Sequence, residues 1–223
     1  MPDINLFDLH GRGLEIGPGV NPFSAEALKL DKGFKFFDNA LEIDVVGMAT
    51  QLPFKNNTFD FIVARHVLEH TANPLLMLRE MARILTLTGK MVITLPNKLA
   101  TFDFFRKPTS FFHLYLDYIS HRKDNDKSHA QEWIKKVLLN PDARKYRMYQ
   151  SSEDDYKEYL KFLDDLTNNR NLDTHFHVFT PGSFKRVFTL AKIMGLLNLT
   201  LSQFYDPDPI DTQAFTAILR YSR

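Results

Sequence analysis

The sequence predicts an α/β protein built on a doubly wound, mostly parallel seven-stranded sheet with a C-terminal antiparallel hairpin and a helical insertion. Three observations lead there. Short β-type runs alternate with loops or helical patterns from Gly13 to Leu95. A charged and aromatic stretch of helical character interrupts that alternation from Lys98 to Asn171. Two further β-type runs then follow, joined by the turn-rich segment DPDPIDT.

The predicted parallel strands are Gly13–Ile16, Ala27–Asp31, Leu41–Val46, Phe59–Ala64 and Lys90–Leu95. Between the last two lies the clearest helix. Asn73 can cap it, Pro74 suits its first turn, and Leu75, Leu78, Ala82 and Leu85 recur at helical spacing before Gly89 ends the unit, giving a βαβ crossover. Residues 98–171, which contain KDNDK and SSEDDYKEY, read as a mostly helical insertion acting as a substrate cap. Pro181 opens a helix over Gly182–Met194, and Leu196–Phe204 and Ala214–Tyr221 form the final hairpin. The expectation is one domain over 1–223, a length sufficient to bury a sizeable core.

Charge and composition narrow the function classes. Lysine plus arginine number 28 against 27 aspartate plus glutamate, so no net field draws the whole molecule to nucleic acid or an anionic membrane. The opening MPDINLFDLHGRG has neither a basic start nor an apolar run of leader length, and no later stretch approaches the roughly 20 apolar residues of a membrane span. A cytoplasmic protein with no nucleic-acid or membrane partner is therefore expected. The absence of cysteine excludes disulfides, thiolate nucleophiles and cysteine zinc sites, and no metal is expected. Twenty phenylalanines and eight tyrosines are mostly core.

The first strand runs into Glu15-Ile16-Gly17-Pro18-Gly19, a glycine turn at the carboxyl end of a parallel strand, where backbone lacking Cβ can approach a ligand. The motif is not GxGxxG. Pro18 and Asn21-Pro22 stiffen the loop, which argues against a dinucleotide pyrophosphate on a long helix N-terminus. An acid at the end of the second strand would accept hydrogen bonds from ribose hydroxyls. Asp31 is the first choice, and Asp38 is the rival if the second strand is instead the run Phe34–Phe37.

The stretch from Ile43 to His70, IDVVGMATQLPFKNNTFDFIVARHVLEH, together with LEIGPGVNPF at Leu14–Phe23 and RILTLTGK at Arg83–Lys90, resembles the class I S-adenosylmethionine-dependent methyltransferases of the type 11 kind. The resemblance covers nearly the whole first half, with the pieces in order and tightly spaced. It implies a Rossmann-like fold and S-adenosylmethionine as cofactor. It further implies that Glu15, Gly17, Pro18 and Gly19 line the methionine side, that Asp31 holds the ribose, and that Met48, Ala49 and Thr50, with Leu52, flank the adenine. Arg65 and His66 would close the pocket after the fourth strand. Met48 or Thr50 stands where many relatives place an acid, so adenine recognition is expected to use backbone and apolar contact. Glu69 and His70 end a strand-to-helix turn and are expected mainly to orient backbone, with His70 also a candidate for touching the substrate. Leu95-Pro96-Asn97 is similar to the tetrapeptides of base-modifying relatives but follows the fifth strand, not the fourth, which speaks against nucleic acid as substrate.

In the second half, Thr101-Phe102-Asp103, Arg106, Thr109-Ser110-Phe111-Phe112-His113, Asp117-Tyr118, Glu132-Trp133 and His175-Phe176-His177-Val178-Phe179-Thr180 resemble a bacterial subgroup found among surface-polysaccharide and glycan-modifying methyltransferases. Methyl transfer to a sugar hydroxyl or an amine gains from a general base, so His113, His175 and His177 are the catalytic candidates. Arg106 suits a carboxylate or phosphate on the acceptor, and Asp103 is placed with it as substrate-binding. The expected acceptor is a small molecule or glycan. Two other readings stay open: an inactive scaffold with this fold, and a nicotinamide-linked enzyme, which the missing GxGxxG disfavours.

Overall fold

The computed structural model describes residues 4–19, 21–33, 43–124, 126–144 and 174–222, with a few isolated positions between 157 and 168. Its sheet contains β1 (Gly13–Ile16), β2 (Leu28–Asp31), β3 (Val45–Val46), β4 (Phe59–Arg65), β5 (Leu85–Pro96), β6 (Leu199–Tyr205) and β7 (Ala214–Tyr221). The order across the sheet is β3-β2-β1-β4-β5-β7-β6. The first five strands pair in parallel, and β7 runs antiparallel to both β5 and β6. This is the doubly wound architecture that the alternating pattern predicts.

Central strands of such a sheet are covered on both faces, and β1 is buried at every position. Along β4 the side chains alternate between two cores. Ile62 and Ala64 join Leu75, Leu78 and Met81 of α1 (Pro74–Ile84) and Phe184 and Phe188 of α5 (Pro181–Ile193). Phe61 and Val63 face the other way, onto Phe7, Phe23 and Val92. The α1 start is as the sequence predicts: Asn73 Oδ1 accepts from the Leu76 amide at 3.1 Å, and Pro74 occupies the first turn. At α5, Thr180 and Ser183 form a reciprocal capping box.

One boundary differs. The helical pattern predicts that the α1 unit runs to Gly89, but the helix ends at Ile84 and the chain turns extended at Leu85. Phe59 pairs with Leu85 whereas Phe61 pairs with Lys90, so residues 86–89 bulge out of the ladder within one long strand. A Cβ at Gly89 would lie 2.7 Å from the Leu85 side chain and 2.9 Å from the Asp60 carbonyl, which explains the glycine there. The third predicted strand shrinks to Val45–Val46 within the described residues; Leu41, Glu42, the run Phe34–Phe37 and Asp38 lie outside them.

Between β5 and α5 the described part of the insertion is helical. Short turns of 3-10 helix at Lys98–Ala100 and Phe102–Phe105 lead to α2 (Phe111–Ile119), α3 (Lys127–Trp133), a π turn at Ile134–Leu138 and the single-turn α4 (Pro141–Arg144). Helix α2 packs against α1 and α5. Trp133, Val137 and Leu138 share a small core with Ala72 and Phe176, which ties the insertion to the loop after β4. Among the described residues no helix is long and apolar enough to cross a membrane.

Candidate functional site

A cleft of about 460 Å³ opens where β1, β2 and β4 end, at the carboxyl edge of the parallel strands, within the usual size range of small-molecule sites. Of the sequence-predicted cofactor contacts, Glu15, Gly17, Pro18 and Gly19 line it on one side. Asp31, Met48 and Ala49 line it on another, and Arg65 and His66 close it. Thr50 and Leu52 do not line it. Residues 48–51 form a turn closed by a Met48–Gln51 bridge, and Leu52 points into the core, only 4 % exposed, with its amide donating to Glu80 and its carbonyl accepting from Arg83.

The glycine loop is held by features local to its sequence. Gly17 and Gly19 both take positive φ, +62° and +59°, which glycine adopts without a Cβ penalty. Their roles divide: a Cβ on Gly17 would meet Val67 at 2.6 Å, whereas one on Gly19 would meet nothing within 4 Å. Gly17 thus lets the loop pass Val67, and Gly19 is the glycine that leaves open space beside the cleft. Glu15 is buried, and its two oxygens accept from the amides of Phe23 (2.7 Å) and Ser24 (3.2 Å). Burial pushes its carboxyl above the usual range even though those amides favour the charged form. Its carboxylate folds the loop back on itself as well as bordering the cleft.

Asp31 ends β2 half-buried, with Oδ1 accepting from the Gly33 amide at 3.0 Å. Opposite it stands a cationic wall. Arg65 Nη2 contacts Asp208 Oδ1 at 3.3 Å, and its Nη1 is buried with no hydrogen-bond partner among the described residues. His66 has a φ of +53° and lies 3.0 Å from Asp211 and 3.4 Å from buried Glu69. Burial opposes charge on His66, but the two carboxylates outweigh it and raise the imidazole pKa to about 9. Asp208 and Asp211 come from DPDPIDT, which the sequence marks only as a turn; nothing local in that text reveals that it returns to the cleft.

The insertion reaches the cleft through Asp124, which lines it beside His70 and Thr71. Asp124 Oδ1 accepts from the Ala72 amide at 2.7 Å and the Thr71 hydroxyl at 3.3 Å. The three expected bases do not line the cleft; its histidines are His66 and His70. His175 Nδ1 lies 2.5 Å from Asp103 Oδ2, and its ring packs edge-on against His70. Arg106, expected to hold an acceptor's charge, is 2 % exposed. Its Nη1 donates to Asp103 (2.8 Å) and the His175 carbonyl (2.7 Å), and its Nη2 to the Phe176 carbonyl (3.1 Å). Burial opposes charge on Asp103, yet His175 and Arg106 hold its carboxyl below the ordinary range. His177 is fully buried, and that burial keeps its imidazole neutral well below the ordinary histidine pKa. His113, half-exposed on α2, faces His129, with the nitrogens 3.0 Å apart.

Residues 14–93 match the family described as methyltransferase domain, the segment that carries the glycine loop, Asp31, Arg65 and His66. Two uncharacterized proteins of Methanocaldococcus jannaschii are each 34% identical to this chain, over 90 and 99 residues. Those matches take in 37% and 41% of this chain and 43% and 42% of theirs, so the chain spans about two fifths of the curated relatives it matches. A solved S-adenosylmethionine-dependent methyltransferase of Methanosarcina mazei superposes with a TM-score of 0.51 at 14% identity, covering 99% of both chains. A Rhodobacter sphaeroides protein provisionally assigned as a zinc-dependent alcohol dehydrogenase gives 0.54 at 11% identity, covering 95% of this chain and 84% of that one. At such identities the likeness establishes the fold. Sheet order and the domain match together define it as the Rossmann-like methyltransferase fold.

Proposed function

We propose that the protein transfers a methyl group from S-adenosylmethionine to an oxygen or nitrogen of a small-molecule or glycan acceptor. The observation that carries this reading is the cleft at the ends of β1, β2 and β4, which joins a glycine loop, a strand-end aspartate and a cationic wall within the segment matching the methyltransferase domain. The residues fit the cofactor chemically. Asp31 keeps acceptor capacity for ribose hydroxyls beyond its bond to Gly33, Met48 and Ala49 offer apolar contact to an adenine, and Arg65 Nη1 with the His66 imidazolium suits a carboxylate. When bound, S-adenosylmethionine supplies a methyl group on a sulfonium, open to in-line displacement by the acceptor.

The chain's own contribution is mainly positioning, which in ideal cases supplies up to roughly 7–11 kcal/mol of the barrier. His70, Thr71 and Asp124 form the wall where the insertion meets the cleft, and that wall is where the acceptor sits in this reading. His70 is the imidazole placed to take the acceptor's proton. His66 stays protonated near neutrality and acts as a cation. Asp103, Arg106 and His175 brace the insertion behind His70 as positioning residues. We assign the activity to the cytoplasm, and the glycan-modifying subgroup that the second half resembles supports a sugar as acceptor class.

Calorimetry with S-adenosylmethionine, S-adenosylhomocysteine and NAD tests the cofactor, followed by radiolabelled methyl transfer to a panel of sugars and amines. Binding of the first two without NAD is expected. Binding of NAD alone overturns the reading, and cofactor binding with no transfer to any acceptor favours the scaffold alternative.

A further inference from the structure

We propose that the insertion carries a structural zinc-type divalent cation held by His113, Asp117, His129 and His177. These side chains come from three separate segments. His113 and Asp117 stand four residues apart on α2 and so share one helix face, His129 lies on α3, and His177 precedes α5. One ligand atom from each lies within 4.8 Å of all the others. His113 Nε2 is 3.0 Å from His129 Nε2, and Asp117 Oδ2 is 3.2, 3.4 and 3.8 Å from the Nε2 atoms of His113, His129 and His177. Ligands at zinc's 2.0–2.2 Å on tetrahedral corners are about 3.3–3.6 Å apart, so these four separations lie on either side of the required edge.

The four candidate ligand atoms gather in one place. Asp117 is 3 % exposed and its Oδ2, although close to three imidazoles, has no hydrogen-bond partner among the described residues, a costly arrangement for a buried carboxylate unless a cation sits among the four groups. His129 Nδ1 lies 3.1 Å from Asp126 Oδ1, and with Nδ1–H donating there, Nε2 is the nitrogen left to bind an ion. A carboxylate behind a histidine is the usual outer partner of a metal-bound imidazole. Arg122 holds Asp126 at 2.7 Å and approaches the other oxygen of Asp117 at 3.4 Å, steadying both carboxylates. On binding the ion, His177 exchanges the 3.3 Å contact of its Nε2 with the Ala72 carbonyl for coordination.

Three imidazoles and one carboxylate suit zinc among the available divalent cations, and four protein ligands leave no open position, which makes the site structural. Such an ion joins α2, α3 and the entry to α5 at one point, next to the loop at Thr71–Asn73 that borders the cleft. Its existence does not rest on methyl transfer.

The test uses the full chain. After dialysis against metal-free buffer, elemental analysis should find about one zinc per molecule. After chelation, Co²⁺ added alone should give the visible absorption of a tetrahedral site, be displaced by Zn²⁺, and raise the melting temperature. His113→Ala, at a half-exposed position outside the cleft lining, should lose the cobalt band, as should His129→Ala, while His10→Ala on the exposed surface should keep it. Asp126→Asn should weaken zinc affinity roughly 10–100-fold while retaining the band. Circular dichroism matched to the parent establishes that each variant folds. A parent chain that neither holds zinc nor develops the cobalt band overturns the proposal, and so does a His113→Ala protein with the parent's stoichiometry and spectrum.

Discussion

Gly17, Gly19 and Asp31 stand at strand ends that periodicity locates, and all three line the cleft. If Asp31 rather than Asp38 meets the ribose, Asp31→Ala should weaken S-adenosylmethionine binding by about 2–4 kcal/mol, the worth of two hydrogen bonds to a charged acceptor, while Asp38→Ala should change it little. Calorimetry that ranks the two in the opposite order would move the ribose acid to Asp38. The raised pKa of His66 could not be foreseen, because it depends on Asp211, 145 positions later in the chain, and on Glu69. Folding raises this pKa from about 6.5 to about 9, so the stabilisation is fully present below pH 6.5 and is lost as pH rises through 9. The melting temperature should therefore fall across that window, and Asp211→Asn should flatten the fall. An unchanged slope in Asp211→Asn would show that the imidazole is not charged by this pair.

Elements were read more reliably than residues, since hydrophobic period and end signals are local. The α1 start, the α5 start and β7 follow the predicted positions, whereas Gly89 misled because a glycine that ends helices also permits a bulge inside a strand. Asn73 illustrates a cap with two duties: Oδ1 receives the Leu76 amide, and Nδ2 donates to the Asp117 carbonyl on α2 at 3.1 Å. Asn73→Ala should cost about 1–2 kcal/mol in denaturant unfolding, and Asn73→Ser, which keeps an oxygen at the cap, should recover part of it. Equal stability of the alanine variant and the parent would show that the cap contributes nothing.

At the scale of the whole molecule, the parallel part of the sheet was legible in the alternation of strand and helix patterns, but the way the insertion fastens to it was not. Arg106 reads in sequence as a clamp for an acceptor; its donors instead close onto Asp103, three residues before it, and onto the carbonyls of His175 and Phe176, about seventy residues after it. Removing one partner of a buried ion pair strands the other, so Arg106→Ala should lower stability by about 3–5 kcal/mol in chemical unfolding. A variant as stable as the parent, with only its acceptor affinity weakened, would return Arg106 to the substrate.

The place of β7, between β5 and β6, bears on how this protein is made. During synthesis β6 emerges first, yet among the described residues its sole ladder is with β7, so it must wait unpaired until Ala214–Tyr221 has left the ribosome. Until then β5 also presents an open edge along Met91–Pro96, a run almost entirely apolar. The nascent sheet thus completes itself from the far side inward, and a chain interrupted between Tyr205 and Ala214 keeps two unsatisfied strands that invite association with other copies.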